Sequence, residues 1–225
     1  MATVSKNRIA TNGEAEKVEA EKLTITPPKM AVMEFKIRGD APLVLNRFGR
    51  KAMEMMHEAH EAGSQGKKGK KREPKDFQRC YEDAKHVSIE GWDGFHAGGL
   101  RTAMVDACRL VGFKMTHAKL GVFILADGYD RVDASPLVKI TKGKPEYFEA
   151  PVKNDNGVAD LRARPKWGPG WEAMVRIRYD ADMFTATDVA NLLARVGVQV
   201  GIGEGRPNSK DSTGCAWGTF EVVND

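Results

Sequence analysis

Residues Trp171 to Tyr179 read WEAMVRIRY, and this strict alternation constrains the fold more than any other stretch of the chain. Ala173, Val175, Ile177 and Tyr179 fall on one side of an extended backbone, with Met174, Arg176 and Arg178 on the other. A period of two belongs to a β-strand with one face in a core and one toward water. Such a strand implies a sheet with one covered face, and two helical patterns are available to cover it. After Phe95, the run HAGGLRTAMVDACRLVG sets Leu100, Met104, Ala107, Cys108 and Val111 at helical spacing, and Gly112 suits the C′ position. Further on, Thr185 or Thr187 caps a helix whose stripe is Val189, Leu192, Leu193 and Val196, with Gly197 ending it.

Three more strands complete the pattern. Met30 to Gly39 (MAVMEFKIRG) alternates with Val32, Phe35 and Ile37 inward, Leu120 to Ala126 (LGVFILA) is a short buried run, and Gly218 to Val223 (GTFEVV) closes the chain. The order is strand, helix, strand, strand, helix, strand. That is the α+β, ferredoxin-like or RRM-like split βαβ arrangement: an antiparallel sheet with two helices on one face and the other face free to bind. Two elaborations are expected on it. A basic helical insertion at about 50–90 holds helical stretches Ala52 to Glu61 and Lys75 to Lys85. Appended β-hairpins at about 130–170 comprise Pro136 to Thr141, Tyr147 to Val152 and Ala159 to Arg164, the last two joined by the turn Asn154-Asp155-Asn156-Gly157. Residues 1–29 read as a flexible polar N-terminal tail ending at Pro27-Pro28, and 30–225 as a single domain.

No run approaches the roughly 18 apolar residues of a membrane span, and residues 1–22 lack the apolar core of a secretory signal. A cytoplasmic location is expected. Cys80, Cys108 and Cys215 include no C-x-x-C pair, which points away from a disulfide framework and a thiolate zinc site. Neither a metal nor another cofactor is called for.

The formal net charge is only +4, but its distribution is uneven. Lys67, Lys68, Lys70, Lys71, Arg72 and Lys75 crowd into one Gly-containing segment, so a polyanion is the natural partner. The segment from Gly201 to Gly218 (GIGEGRPNSKDSTGCAWG) is the most unusual feature. Gly201, Gly203 and Gly205 permit positive φ and leave amides open to close approach, while Arg206 and Lys210 add charge, a combination suited to phosphates. The loop follows a helix and precedes a strand, so neither the dinucleotide fingerprint nor the P-loop applies.

Three short motifs carry a resemblance. Ile37-Arg38-Gly39-Asp40-Ala41-Pro42-Leu43 at the first strand, Phe95-His96-Ala97-Gly98-Gly99-Leu100-Arg101 at the first helix, and Gly201-x-Gly203 with Gly214-x-x-Trp217-Gly218-x-Phe220 after the last helix together resemble the RAMP superfamily, the RRM-like backbone and processing subunits of CRISPR effector complexes. A stand-alone or phage-encoded relative is equally compatible. The resemblance implies a homo-oligomer or multi-subunit ribonucleoprotein in which copies polymerise along single-stranded RNA. The implied contacts are Asn46, Arg47 and Arg50 in the first loop, His96 and Arg101 at the helix start, and Arg206 and Lys210 in the glycine loop. The basic segment Lys67, Lys68, Lys70, Lys71 and Arg72 would add salt-dependent affinity. Arg162, Arg164 and Lys166 stand beside Trp167 and Trp171, which either stack on bases or pack a hairpin onto the core.

For catalysis, His57-Glu58-Ala59-His60-Glu61 matches neither H-E-x-x-H nor its inverse, because no second histidine stands at i+4. His57, His86, His96 or His117 could serve as the acid or base of a metal-independent endoribonuclease, and Asp40 could assist a metal, although a turn Asp after a strand is ordinary. Binding without catalysis is the primary reading, with the endoribonuclease and a structural phage subunit as alternatives.

Overall fold

The computed structural model describes residues 25–47, 57, 75–153, 159–209 and 215–223. In chain order its elements are β1 (Met30–Gly39), β2 (Leu43–Val44), α1 (Phe77–Ala84), β3 (His86–Val87), β4 (Asp93–His96), α2 (Ala97–Leu110), α3 (Met115–Gly121) and β5 (Val122–Leu125). There follow β6 (Gly128–Tyr129), β7 (Pro136–Lys142), β8 (Glu146–Lys153), β9 (Ala159–Trp167), β10 (Glu172–Asp180), α4 (Ala186–Arg195), a π-helical turn (Val196–Val200) and β11 (Phe220–Val223).

The long strand β10 pairs antiparallel with β1 over its whole length, from Met30 opposite Asp180 to Arg38 opposite Glu172. β11 lies against the other edge of β1, antiparallel at Lys36 to Gly39. The far edge of β10 is shared end to end: β5 takes Arg176 to Tyr179, and β7 takes Glu172 and Ala173 across an irregularity. Read through β5, the strand order is β11-β1-β10-β5, the order of two interlocked βαβ halves, β1-α2-β5 and β10-α4-β11. The fold is thus α+β and ferredoxin-like, with β4, β3 and β6 widening the sheet beyond β7. A second sheet of order β2-β9-β8 stands apart from the first.

Side-chain alternation decides which face packs. Ala173, Val175, Ile177 and Tyr179 of β10 are all buried, as are Ile37 of β1, Phe220 of β11, Leu100 and Met104 of α2 and Leu193 of α4. Each of the larger aliphatic, Phe or Met side chains so taken out of water contributes about 1.5–3 kcal/mol. The inward set of β1 is Ala31, Met33, Phe35 and Ile37, so Val32, expected inward, is 55% exposed: Phe35 and Ile37 set the parity of the strand, and only odd positions can follow them.

Other expectations shift as well. The apolar run from Leu120 splits, because α3 extends to Gly121 and leaves Leu120 exposed before β5 begins at Val122. Phe95 and His96 belong to β4, and α2 starts directly after, with His96 as its N-cap. α4 opens with a capping box in which Thr185 and Asp188 exchange hydrogen bonds, but Gly197 does not end it. The helix widens into the π turn and stops at Gly201, at φ 69°. Of the three brief stretches after position 130, β8 and β9 form a hairpin, whereas β7 joins the main sheet. The helical stretch expected at Ala52 to Glu61 lies outside the described residues apart from His57, which is helical and exposed.

Candidate nucleic-acid interface

The glycine-rich loop is stitched to the chain after β1 by backbone hydrogen bonds. Glu204 N donates to Val44 O at 2.8 Å and Gly218 N to Pro42 O at 2.8 Å, while Ile202 N donates to Gly218 O at 3.0 Å and closes the loop on itself. Gly203 sits so close that a Cβ there would lie 2.4 Å from Val44 O. Asn208 Nδ2 reaches Asp106 Oδ2 of α2 at 2.9 Å. Main chain from the first loop and the glycine loop therefore does come together, α2 is joined to it through the side chains of Asp106 and Asn208, and Gly201, Gly203 and Gly205 are all at positive φ.

The arginines do not form one row. Arg47 is 5% exposed; its Nε donates to Asp83 O at 3.0 Å and its Nη1 pairs with Asp130 at 3.7 Å. Arg101 turns to the edge of β5, where Nε donates to Val122 O at 2.9 Å, Nη2 to Lys119 O, and the guanidinium lies 4.7 Å from the Phe123 ring centroid. Arg206 Nη1 donates to Gly203 O at 2.9 Å within its own loop. Each guanidinium is anchored on carbonyls of a different element, because a carbonyl near an arginine head is enough to set its direction and sequence does not say which one is near. Asn46 is exposed beside them. Arg50, Lys67, Lys68, Lys70, Lys71, Arg72 and Lys210 lie outside the described residues.

The hairpin cations are closer to a common surface. Arg164 is buried and its Nε donates to Glu204 Oε2 at 3.1 Å, which ties β9 to the glycine loop. Lys166 is half-buried with its ammonium 4.5 Å from the Phe148 centroid and 5.8 Å from that of Trp217. Arg162, two positions along the same face, pairs with Asp160 at 3.6 Å. Trp167 and Trp171 are 0% and 1% exposed, and Trp171 Nε1 donates to Ala41 O at 3.0 Å, so they pack the core and offer no face to a base. The half-buried aromatics beside the cations are Phe148 and Trp217, which the sequence marked only by the motif around Trp217.

The outer face of the main sheet is not a bare cationic surface. Arg38 pairs with Glu221, Lys36 and Lys142 with Glu172, and Arg176 with Asp127. Arg178 lies over Phe123, its guanidinium 5.2 Å from the ring centroid.

His86 and His96 stand together, ring centroids 6.3 Å apart, with His86 Nδ1 3.3 Å from Asp130 Oδ2. Burial pushes the His86 imidazole below its ordinary value despite Asp130 beside it, so the ring is held neutral in the interior. His96 Nδ1 accepts from Gly99 N–H at 3.2 Å, which assigns its neutral proton to Nε2 and closes one open amide of α2. His57 and His117 are exposed, and so is Asp40. Among the described residues no group of three or more His, Cys, Asp or Glu is placed to hold a metal ion.

No protein-family model matches this sequence, and neither does any curated protein. In three dimensions the chain is similar to a chain of the cryo-EM structure of the Type III-B Cmr-beta bound to cognate target RNA, with a TM-score of 0.50 and 9% identity. The match covers 87% of this chain and 60% of that one, so this chain spans about 60% of the length of its structural neighbour. At such identity the likeness is one of fold alone. No helix among the described residues is long and apolar enough to cross a membrane.

Proposed function

We propose that this protein binds single-stranded nucleic acid, RNA in the first instance, through its phosphates, and assembles side by side along the strand as a non-catalytic subunit. The reading rests on the seam where the glycine-rich loop lies across β2 and is tied by Glu204 to β9, in a fold shared with a chain of an RNA-bound complex. Glycines at positive φ, without a Cβ, let a strand's backbone approach the loop closely, and Lys166 and Arg162 stand alongside to take phosphate charge. Arg47, Arg101 and Arg164 serve differently in this reading: they hold the loops that form the surface. The basic residues Lys67, Lys68, Lys70, Lys71, Arg72 and Lys210 add counterion-releasing contacts.

Fluorescence anisotropy with labelled RNA at low ionic strength, paired with electron microscopy of the complex, tests the proposal. Binding that weakens steeply with salt and produces ordered polymers supports it. A strictly monomeric protein that binds neither RNA nor single-stranded DNA rejects it. Site-specific cleavage of the RNA, lost in His96→Ala, would replace it with the endoribonuclease reading that the closeness of His86 and His96 favours.

A further inference from the structure

The segment around Trp217 is built against the ordinary preferences of the backbone. Ala216 occupies the left-handed region at φ 51° although it carries a Cβ. Gly218, at φ 66°, lies where a Cβ would be 1.8 Å from Ile202 O, and Gly205, at φ 68°, where a Cβ would be 2.5 Å from Trp217 Cε3. Gly205, against the indole itself, and Ala216 and Gly218, on either side of Trp217 in sequence, thus accept a strained or glycine-only conformation.

Burial does not account for that construction. Trp167 and Trp171 show what this chain does with an indole needed for packing, and both are sealed in the core. Trp217 stays half-buried, set edge to face against the half-buried Phe148 with centroids 5.6 Å apart and ring planes at 82°. In the β8–β9 ladder Phe148 lies opposite Arg164, Ala150 opposite Arg162 and Glu146 opposite Lys166. Phe148 therefore shares one face of the hairpin with all three cations. The Lys166 ammonium rests over both rings and makes no ion pair among the described residues, although Glu146 stands opposite it in the ladder.

We infer that Phe148 and Trp217 form a stacking platform for an unpaired base of single-stranded RNA, with Lys166 as the cation that takes the adjoining phosphate. This inference rests on the reading that the protein binds nucleic acid and adds to it a base contact on the hairpin. An entering base presents its π-face to one ring and its edge to the other, which stands at 82° to the first, and displaces the ammonium, which the phosphate of the same nucleotide then receives. Stacking of this kind tolerates any base, because every base has a π-face. The platform is accordingly a grip on single strands and carries no sequence code.

The test uses the full chain, an oligouridine carrying one photoreactive 5-iodouridine, and an abasic ribose-phosphate oligomer of the same length. Anisotropy gives affinity, and irradiation of the same wild-type samples followed by peptide mapping gives the residue against which the base stacks. Cross-links at Phe148 or Trp217 are expected. Phe148→Leu, which keeps an apolar side chain in the hairpin, is expected to weaken oligouridine binding about tenfold and to leave binding of the abasic oligomer unchanged. Wild-type binding with cross-links confined to other residues overturns the platform, as does a Phe148→Leu loss that is equal for both oligomers or absent. Wild-type protein that binds neither oligomer overturns the nucleic-acid reading itself, a result distinguishable from failure of the platform alone. The cross-link map needs no variant, so it decides the matter even where Phe148→Leu fails to fold.

Discussion

Arg164 donates to Glu204 across 3.1 Å, and with that one bond a strand of the small sheet is locked to the glycine-rich loop of the large one. Both partners are largely withdrawn from water, the arginine side chain at 10% exposure and the glutamate at 32%. Removing one of them strands the other's charge, whereas an exposed pair would lose little. Glu204→Ala is expected to lower stability by about 1–3 kcal/mol in urea unfolding, and Arg164→Ala Glu204→Ala together by less than the sum of the single changes. Strict additivity of the two substitutions would show that the pair is not coupled.

The glycines divide into those the fold needs and those it does not. Gly218→Ala places a Cβ 1.8 Å from Ile202 O in a left-handed conformation and should destabilise by about 3 kcal/mol. Gly99→Ala meets nothing within 4 Å, sits in the first turn of α2 and keeps the N–H that His96 accepts. It should therefore raise stability by about 0.5 kcal/mol. Thermal melts of the two variants would move in opposite directions, and a matched loss in both would contradict this account.

Sequence made the covered sheet legible wherever one periodicity ran unbroken. Trp171 to Tyr179 alternates for nine residues and lies as read, and Thr185 and Gly112 fall at helix ends because capping is a local matter of a few bonds. Local patterns fail where two elements abut without punctuation, as at Gly121, where α3 passes straight into β5. They fail again at Gly197, which continues into a π turn because packing against Phe220 continues: a Cβ there would lie 2.0 Å from Phe220 O. The candidate site was legible as a set of segments, since loop composition shows in sequence, and illegible as a set of side-chain directions. Arg47 turns inward because Asp130, far along the chain, is buried nearby, and beside Trp217 the positive φ of Ala216 is one that its residue type does not announce.

The buried His86 sets a pH dependence whose sign follows from its direction of shift. Its folded-state value lies below the ordinary 6.5 chiefly because burial penalises the charged ring. Between the folded and ordinary values the unfolded chain binds the extra proton, so stability is full above pH ~6.5 and declines as pH falls through that window. The carboxylates whose values are held low, Asp133, Asp160, Asp188 and Glu172, lose their contributions only in more acid solution. Urea midpoints of wild type should fall between pH 7.5 and 5.5, and His86→Gln should be flatter across the same range. Parallel pH profiles would place the sensitive group elsewhere.

Cations that build the surface and cations that serve it should separate in one pair of variants. Arg101 gives Nε to Val122 O and Nη2 to Lys119 O, so it closes the free edge of β5 onto the end of α3. Arg101→Gln leaves those carbonyls short of a donor and should lower stability by about 1–3 kcal/mol, with no change in the salt slope of RNA binding per folded molecule. Among the described residues Lys166 bonds to no carbonyl, and it rests on two rings. Lys166→Gln should shift stability by no more than about 0.5 kcal/mol, while each phosphate of a single strand that goes unneutralised reduces the slope of log K against log salt by about 0.7. Stability from urea unfolding and slopes from anisotropy at four salt concentrations give both quantities for each variant. The division fails if Arg101→Gln flattens the slope while Lys166→Gln leaves it intact, because the edge of β5 would then carry the phosphates and the hairpin would be scaffold.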